Sequence, residues 1–197
     1  GAENVEYWYD KEDHLVFEQD GQLRAKGLYR FYLYDSLGRI VVVGKSHGCN
    51  THVQNVEVRV SYTSSEGFLS TNYVFSPSNI ANIIDTSDAT IEKVYYYDRY
   101  DFLSRSHQSD FESINPSPKT GVNGLLAGSI VGTSNGQFVF SVYCYAPKGN
   151  LTHTLTRGLE GYGSEITSTY SLTDKPVSTL AKVDVRYGDK LSISVSN

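Results

Sequence analysis

The sequence contains no methionine, two cysteines, one tryptophan and five prolines in 197 residues. Two cysteines, Cys49 and Cys144, are too few for a disulfide-built scaffold, and we expect Cys144 to be a free thiol buried in a strand. No apolar run approaches the roughly 20 residues of a membrane-spanning helix, so we expect no membrane span. Gly1 stands first, without methionine or a signal peptide, which indicates either the remnant of a tag or an excised fragment of a longer chain.

Basic charge is also scarce, since the formal net charge is -5 and the Lys and Arg residues are scattered. A chain without a basic field has little to neutralise phosphates, so nucleic acid is not an expected partner. Sequence signatures of catalysis are missing too: there is no Gly-x-Ser-x-Gly, no glycine-rich phosphate loop and no His-Glu-x-x-His. We therefore expect no enzyme, no cofactor and no catalytic or metal-binding residues.

Two chemical alternatives to this expectation follow from the sequence. The segment His47–His52 contains two histidines and Cys49, but it offers no fourth zinc ligand nearby, and we interpret it as a polar loop after the strand ending at Val43. A glycosidase needs only two well-placed carboxylates, which the sequence leaves open. Most aspartates, however, already have a role in turns.

Tyrosine and phenylalanine are abundant, with 16 and 8 copies, and Val, Ser and Thr are frequent. Aromatic and β-branched side chains fit a pleated, half-buried surface, so this composition predicts an all-β fold with little or no helix. Asn135-Gly136 between two apolar runs predicts a hairpin, and Gly188-Asp189 predicts another near the end. We expect one repeat-built domain over 1–197, with irregular connections at about 63–90, where a short helical turn could lie near Ile80 to Ile84, and at 104–124.

A Tyr-x-Tyr motif followed by a turn recurs five times. Its two aromatics share one strand face, the residue after them starts a turn, and the residue three positions later tolerates positive φ. This pattern predicts type I turns closed by a left-handed bulge residue. The motif residues are Tyr7, Tyr9, Asp10 and Asp13, then Tyr32, Tyr34, Asp35, Gly38 and Arg39, then Tyr95, Tyr97, Asp98 and Asp101, then Tyr143, Tyr145 and Gly149, and finally Tyr170 and Asp174.

The second copy, Tyr32 to Val41, resembles the signature of Rhs or YD repeats, and the wider pattern from Tyr7 to Val183 resembles divergent Rhs-type proteins of Bacteroidetes. The resemblance implies stacked antiparallel hairpins in a continuous curved sheet that spirals into a hollow shell. It also implies a large secreted or cell-surface parent protein. The partners would be neighbouring repeats of the parent chain and an enclosed toxin domain. This chain has no Asp-Pro-x-Gly stretch, so we expect a segment of wall without the protease or the cargo.

A second hypothesis is a cell-surface binding module that recognises glycan or protein through exposed aromatic side chains. Trp8, Tyr96 and Tyr100 lie between or beyond the paired tyrosines, and they are the candidate ligand-binding residues. A wall segment should leave unpaired edge strands at both ends of its sheet. A binding module should instead have covered edges and an aromatic cleft.

Overall fold

The structure is a computed structural model that describes residues 4–76, 82–104, 122–134, 136–158, 163–184 and 190–196. The chain forms two compact units, Gly1–Val94 and Tyr95–Asn197. Both consist mainly of antiparallel strands, which confirms the predicted all-β fold class. The single repeat-built domain stays a prediction.

The described residues of the first unit form six strands and part of a seventh. They are β1 (Glu6–Tyr9), β2 (Leu15–Gln19), β3 (Tyr29–Tyr34), β4 (Ile40–Ser46), β5 (Arg59–Tyr62), β6 (Tyr73–Ser76) and the first part of β7 (Thr90–Tyr97). Neighbouring strands follow the order β1-β2-β3-β4-β7, all antiparallel. Strand β5 lies off this order, because it pairs in parallel with β3 and antiparallel with β6. A short helix, α1 (Gly21–Ala25), lies between β2 and β3.

In the second unit, the part of the chain that the structure describes forms the end of β7 and six further strands. They are β8 (Leu126–Gly132), β9 (Phe138–Tyr145), β10 (Leu151–Arg157), β11 (Gly163–Tyr170), β12 (Pro176–Asp184) and β13 (Lys190–Ser196). Strands β8 to β13 pair antiparallel in sequence order, as stacked hairpins should. None of the helices in the described ranges has the length and apolar character needed to cross a membrane.

Alternation along the strands builds the core of the first unit. Phe17, Phe31, Leu33 and Val42 are completely buried, because successive side chains of a strand point to opposite faces and one face is covered. Gly44 on β4 leaves room for an aromatic ring, since a Cβ at this position would overlap the Phe31 side chain. Close approach of a ring to the backbone is one reason for glycine inside a strand.

The core of the second unit forms around an aromatic stack. The rings of Tyr96 and Phe102 lie parallel, with their centroids 4.2 Å apart, and both side chains are buried. A Cβ at Gly128 would overlap the Phe102 ring, so this glycine admits the stack. Cys144 on β9 is a buried thiol, as predicted. Burial of its strand face accounts for the small apolar residue at this position.

The connections match the expectations in part. The stretch 63–90 contains strand β6 and a 3-10 turn at Phe68–Ser70, so it is more regular than expected. Residues 77–81 and 105–121 are outside the described residues, as are Asn135, Gly188 and Asp189. The two hairpins predicted around Asn135 and Gly188 are present as paired strands, β8 with β9 and β12 with β13.

Candidate functional site

Four of the five motif copies share one five-residue turn, which lies at 10–14, 35–39, 146–150 and 171–175, and the amides of Thr133 and Gly136 make the corresponding two hydrogen bonds between β8 and β9. In the second copy the amide of Asp35 donates to the carbonyl of Arg39 (3.0 Å), and the amide of Gly38 donates to the carbonyl of Asp35 (3.0 Å). The same two hydrogen bonds recur at the matching positions of the other three copies, with lengths from 2.8 to 3.2 Å. We name these units tyrosine-turn hairpins, and they are β1–β2, β3–β4, β9–β10 and β11–β12.

The fourth residue of each of these turns has left-handed φ. The angle is +61° at Asp13, +73° at Gly38, +87° at Gly149 and +59° at Asp174. The strand register shifts beside each turn, as expected when one strand carries a bulge residue. In these four copies the turn therefore has the bulged geometry that the motif spacing predicts.

A polar side chain at the first turn position stabilises several of these turns. Asp35 Oδ1 accepts hydrogen bonds from the amides of Leu37 (2.9 Å) and Arg39 (3.0 Å), and Asp35 Oδ2 pairs with the Arg39 guanidinium at 2.6 Å. In the fifth copy, Ser171 Oγ accepts a hydrogen bond from the amide of Lys175 (3.2 Å). Such side-chain acceptors satisfy amides that a tight turn leaves without a strand partner.

Asp10 makes more contacts than the other turn residues. Its Oδ1 accepts hydrogen bonds from the amides of Glu12 (2.8 Å) and His14 (3.0 Å). Its Oδ2 accepts a third from the amide of Val58 (3.1 Å), just before β5. The Asp10 side chain has no exposed surface. This carboxylate therefore joins the first turn to a segment 48 residues further along the chain.

The third copy does not form a hairpin, so the turn predicted for Tyr95, Tyr97, Asp98 and Asp101 is wrong. Strand β7 ends at Tyr97, left-handed φ falls on Asp98 (+70°), and Asp101 begins a 3-10 helix, Asp101–Ser104. The amide of Asp98 donates to the carbonyl of Leu125 (3.1 Å). Asp98 therefore connects the end of β7 to the residue before β8 instead of reversing the chain.

The second tyrosine of the motif joins neighbouring hairpins through its hydroxyl. The donors and acceptors are Tyr34 with the Leu15 carbonyl (2.9 Å), Tyr145 with the Leu126 carbonyl (2.8 Å) and Tyr170 with the Leu151 carbonyl (2.8 Å). Each pair is separated by 19 residues. Each acceptor is the first residue of the strand that pairs with the tyrosine's own strand. We name these bonds tyrosine latches.

Sequence reasoning missed the latches, although the motif identified their donors. It assigned the paired tyrosines to packing against the next hairpin, whereas the hydroxyls of Tyr34, Tyr145 and Tyr170 each bind one backbone carbonyl. The constant separation between an aliphatic residue and a motif tyrosine was the available signal. A buried tyrosine hydroxyl usually finds such a partner, so the acceptor could have been sought on the preceding strand.

Alkaline pH should weaken the first latch. Burial raises the pKa of Tyr34 to about 12, from its ordinary value of 10.0. Because the folded state binds this proton more tightly than the unfolded state, the stabilisation is complete below pH 10 and is lost as the pH rises from 10 to about 12. We expect thermal melts from pH 8 to 11 to show a shallower alkaline decline in Tyr34→Phe.

Tyr7→Phe is the matched control for this pH series, since it removes the same hydroxyl from a tyrosine that is 51% exposed. Its decline in melting temperature should follow that of the parent protein. Equal slopes in Tyr34→Phe and Tyr7→Phe would contradict a role for the Tyr34 proton.

Side chains also join the tips of neighbouring turns in the first unit. Arg59 forms an ion pair with Glu12 of the first turn and donates to the carbonyl of Ser36 in the second turn (2.6 Å). The His14 ring stacks on Tyr34, with centroids 4.5 Å apart. The two turns are therefore held together by a cation bridge and a ring stack.

A similar connection exists in the second unit, between the fourth and fifth copies. The ammonium of Lys148 lies 3.2 Å from a carboxylate oxygen of Asp174, and the side-chain amide of Asn150 donates to the other oxygen (2.9 Å). The residues of this pair are partly exposed, so the contribution of the ion pair is small, in the range of about 0–1 kcal/mol. The contact still joins the turn at 146–150 to the turn at 171–175.

The three candidate ligand-binding aromatics have different positions. Trp8 is half-buried on β1 and packs edge-on against Tyr29, with centroids 5.6 Å apart. Tyr96 and Tyr100 are 1% and 7% exposed, and the Tyr100 hydroxyl donates to the carbonyl of Tyr143 (2.6 Å). Neither of these two is an exposed binding residue, because strand alternation and the 3-10 turn direct both into the core. The prediction is wrong for them.

The polar loop after β4 contains a hydrogen-bonded dyad. His47 Nδ1 lies 2.6 Å from Asp88 Oδ2, and Ser46 Oγ donates to Asp88 Oδ1 (2.7 Å). Burial, with a smaller effect of the nearby Asp88 carboxylate, raises the pKa of Cys49 to about 12. Among the described residues, no group of three or more His, Cys, Asp or Glu side chains is arranged to hold a metal. Cys49 is therefore a protonated thiol at neutral pH.

The described residues thus form four tyrosine-turn hairpins and three tyrosine latches. In a comparison with known proteins, no protein-family model matches the sequence, and no curated protein matches it.

Proposed function

We propose that this chain is a structural, non-enzymatic segment of a large secreted or cell-surface shell of the Rhs/YD-repeat kind. The observation that carries the proposal is the tyrosine latch, because each of the three latches joins a tyrosine-turn hairpin to the strand before it and not to a ligand. A unit that binds its neighbour through backbone atoms can be added repeatedly along one sheet. The parent protein would carry further copies and could enclose a toxin domain.

The state of the sheet edges supports a wall segment. Strand β1 ends the strand order in the first unit, and β13 ends it in the second. No described strand pairs with the outer edge of either one. Unpaired edges are a liability that self-contained proteins normally cover, whereas a segment of a longer sheet needs them for its neighbours.

The binding-module hypothesis is weaker on two counts. Two of its three aromatic residues, Tyr96 and Tyr100, are buried. Its best remaining surface is β1, where Tyr7 and Tyr9 are 51% and 47% exposed and Trp8 is half-buried. These residues lie on β1, whose outer edge is unpaired among the described strands and is therefore open to pairing with another strand.

Fractionation of the source cells tests the structural proposal. An antibody raised against this chain should detect a polypeptide much larger than 21.9 kDa in the secreted or surface fraction, and peptide mapping should find more Tyr-x-Tyr turns in it. A known cytosolic protein serves as the fractionation control. A polypeptide of about this chain's own size in the cytosolic fraction would contradict the proposal.

A further inference from the structure

The tyrosine latch has a fixed register relative to strand pairing. The pairing of Phe17 with Phe31 places Leu15 opposite Leu33, so the donor Tyr34 lies one residue beyond the partner of its acceptor. Counting along the registers of β8 with β9 and of β10 with β11 gives the same offset for Tyr145 and Tyr170. A latch therefore needs a neighbouring paired strand whose first residue lies opposite the residue that precedes the tyrosine.

Tyr9 is the second tyrosine of the first motif copy, which is the position that forms the latch in other copies. No described strand pairs with β1 on its outer side, so Tyr9 has no latch acceptor. It ends β1, which is the last strand on its side of the sheet. Its side chain is 47% exposed, whereas the latched Tyr34 is 7% exposed. No described residue of this unit accepts a hydrogen bond from the Tyr9 hydroxyl. The donor and the strand edge that a latch requires are therefore both available.

We propose that the outer edge of β1 receives the strand of another tyrosine-turn hairpin of the same parent polypeptide, and that the first residue of this strand accepts a hydrogen bond from the Tyr9 hydroxyl. This inference rests on the proposed wall function and names its contact atoms. By the offset of the three latches, the first residue of the incoming strand lies opposite Trp8. Backbone pairing supplies the affinity of such an added strand, and the latch sets its register.

The partner is an extended, antiparallel strand that follows directly after a turn and begins with an aliphatic residue. All three latch acceptors, Leu15, Leu126 and Leu151, are of this kind. The side-chain requirement is modest, because the acceptor atom is a backbone carbonyl. Continuity with the three existing latches favours this occupant over a glycan, which has no strand edge to pair with β1.

A fusion protein tests this proposal, because a candidate partner strand attached before Gly1 is present at high effective concentration near β1. The sequence of residues 151–161 is added before Gly1, which places a leucine 19 residues before Tyr9, as Leu151 is before Tyr170. We expect amide hydrogen exchange on Glu6–Tyr9 to slow by about tenfold or more relative to the unfused chain. Emission of Trp8, the only tryptophan, should shift to shorter wavelength and resist acrylamide quenching.

Two controls distinguish the pairing of the added strand with β1 from the hydrogen bond of the Tyr9 hydroxyl. A fusion with these residues in scrambled order, and with one of them replaced by proline, should leave β1 exchange unchanged. In the active fusion, Tyr9→Phe should return several-fold faster exchange, while Tyr7→Phe, on the same strand face, should not. Equal exchange in the active and scrambled fusions overturns the proposal, and equal effects of the two tyrosine variants overturn the role of Tyr9.

The outcomes for other occupants and for the wall function are distinct. Protection of β1 that grows with concentration in the unfused chain would assign the edge to a second copy and overturn the inference. If the parent polypeptide is large and at the surface but β1 stays unprotected in the fusion, the wall function is supported. Only the docking of a hairpin at Tyr9 is then contradicted. Protection of β1 in the fusion, together with a small cytosolic polypeptide in the fractionation, would support docking at Tyr9 and contradict the wall function.

Discussion

Replacing Asp10 with alanine is expected to lower the free energy of unfolding by about 3 kcal/mol, because buried hydrogen bonds to a charged group contribute strongly and their loss leaves amides unsatisfied. The carboxylate accepts bonds from three backbone amides, those of Glu12, His14 and Val58. Alanine also removes the connection between the first turn and the segment before β5. Urea unfolding followed by Trp8 fluorescence measures the loss.

Asp35→Ala is the matched control, because Asp35 holds the same position in the second turn. Its carboxylate accepts bonds from two backbone amides and pairs with Arg39, and its side chain is 14% exposed. Water can replace part of these bonds, so we expect a loss of about 1–1.5 kcal/mol. If both variants lost the same amount, the burial of Asp10 and its bond to Val58 would have no measurable effect.

The turns were predictable because their requirements are local. A type I turn with a bulge needs an acceptor at its first position and a residue that tolerates left-handed φ three positions later, and both are visible in the sequence around Asp35 and Gly38. The all-β class followed from the same kind of information, since aromatic and β-branched residues favour strands. The hairpin around Asn135 was also found from its own residues.

The third copy shows where local information ends. Asp98 and Asp101 have the right spacing for the turn, yet the chain continues into a 3-10 helix. This course places Phe102 on Tyr96 in the core, and both side chains are 0–1% exposed. Burial of an aromatic side chain is worth several times the difference between two turn types, so packing decides the backbone course. No property of residues 95–103 alone indicates that Gly128, on another strand, makes room for the Phe102 ring.

Long-range partners explain the other differences. The pairing of β5 with β3, the bond from Val58 to Asp10 and the bridge of Arg59 to the first two turns join residues far apart in the chain. The exposure of Tyr96 could not be judged from the motif, because both faces of a strand are equivalent until a neighbour covers one of them. Tyr100 lies after the end of β7, and its hydroxyl donates to the carbonyl of Tyr143, which is distant in the sequence. The latch donors were visible in the sequence, but their acceptors are backbone atoms that any residue carries.

Gly38→Val is expected to cost about 3 kcal/mol, and it tests the turn geometry directly. A β-branched residue at φ +73° clashes with its own backbone, which costs about 1–2 kcal/mol. In addition, a Cβ at this position would lie 3.1 Å from Nε2 of His14, whose ring stacks on Tyr34. The substitution therefore strains the turn and disturbs the contact between two neighbouring hairpins. Thermal and urea unfolding measure the loss.

Gly149→Val separates these two effects. Gly149 has φ +87°, but a Cβ there would meet its nearest atom, a methyl carbon of Leu125, at an ordinary 4.0 Å. We expect only the backbone cost, about 2 kcal/mol, so the excess in Gly38→Val measures the contact with His14. Arg39→Ala removes an ion pair without changing φ and should cost about 1 kcal/mol. Equal melting temperatures for Gly38→Val and Arg39→Ala would contradict the left-handed turn on which the stacking of hairpins depends.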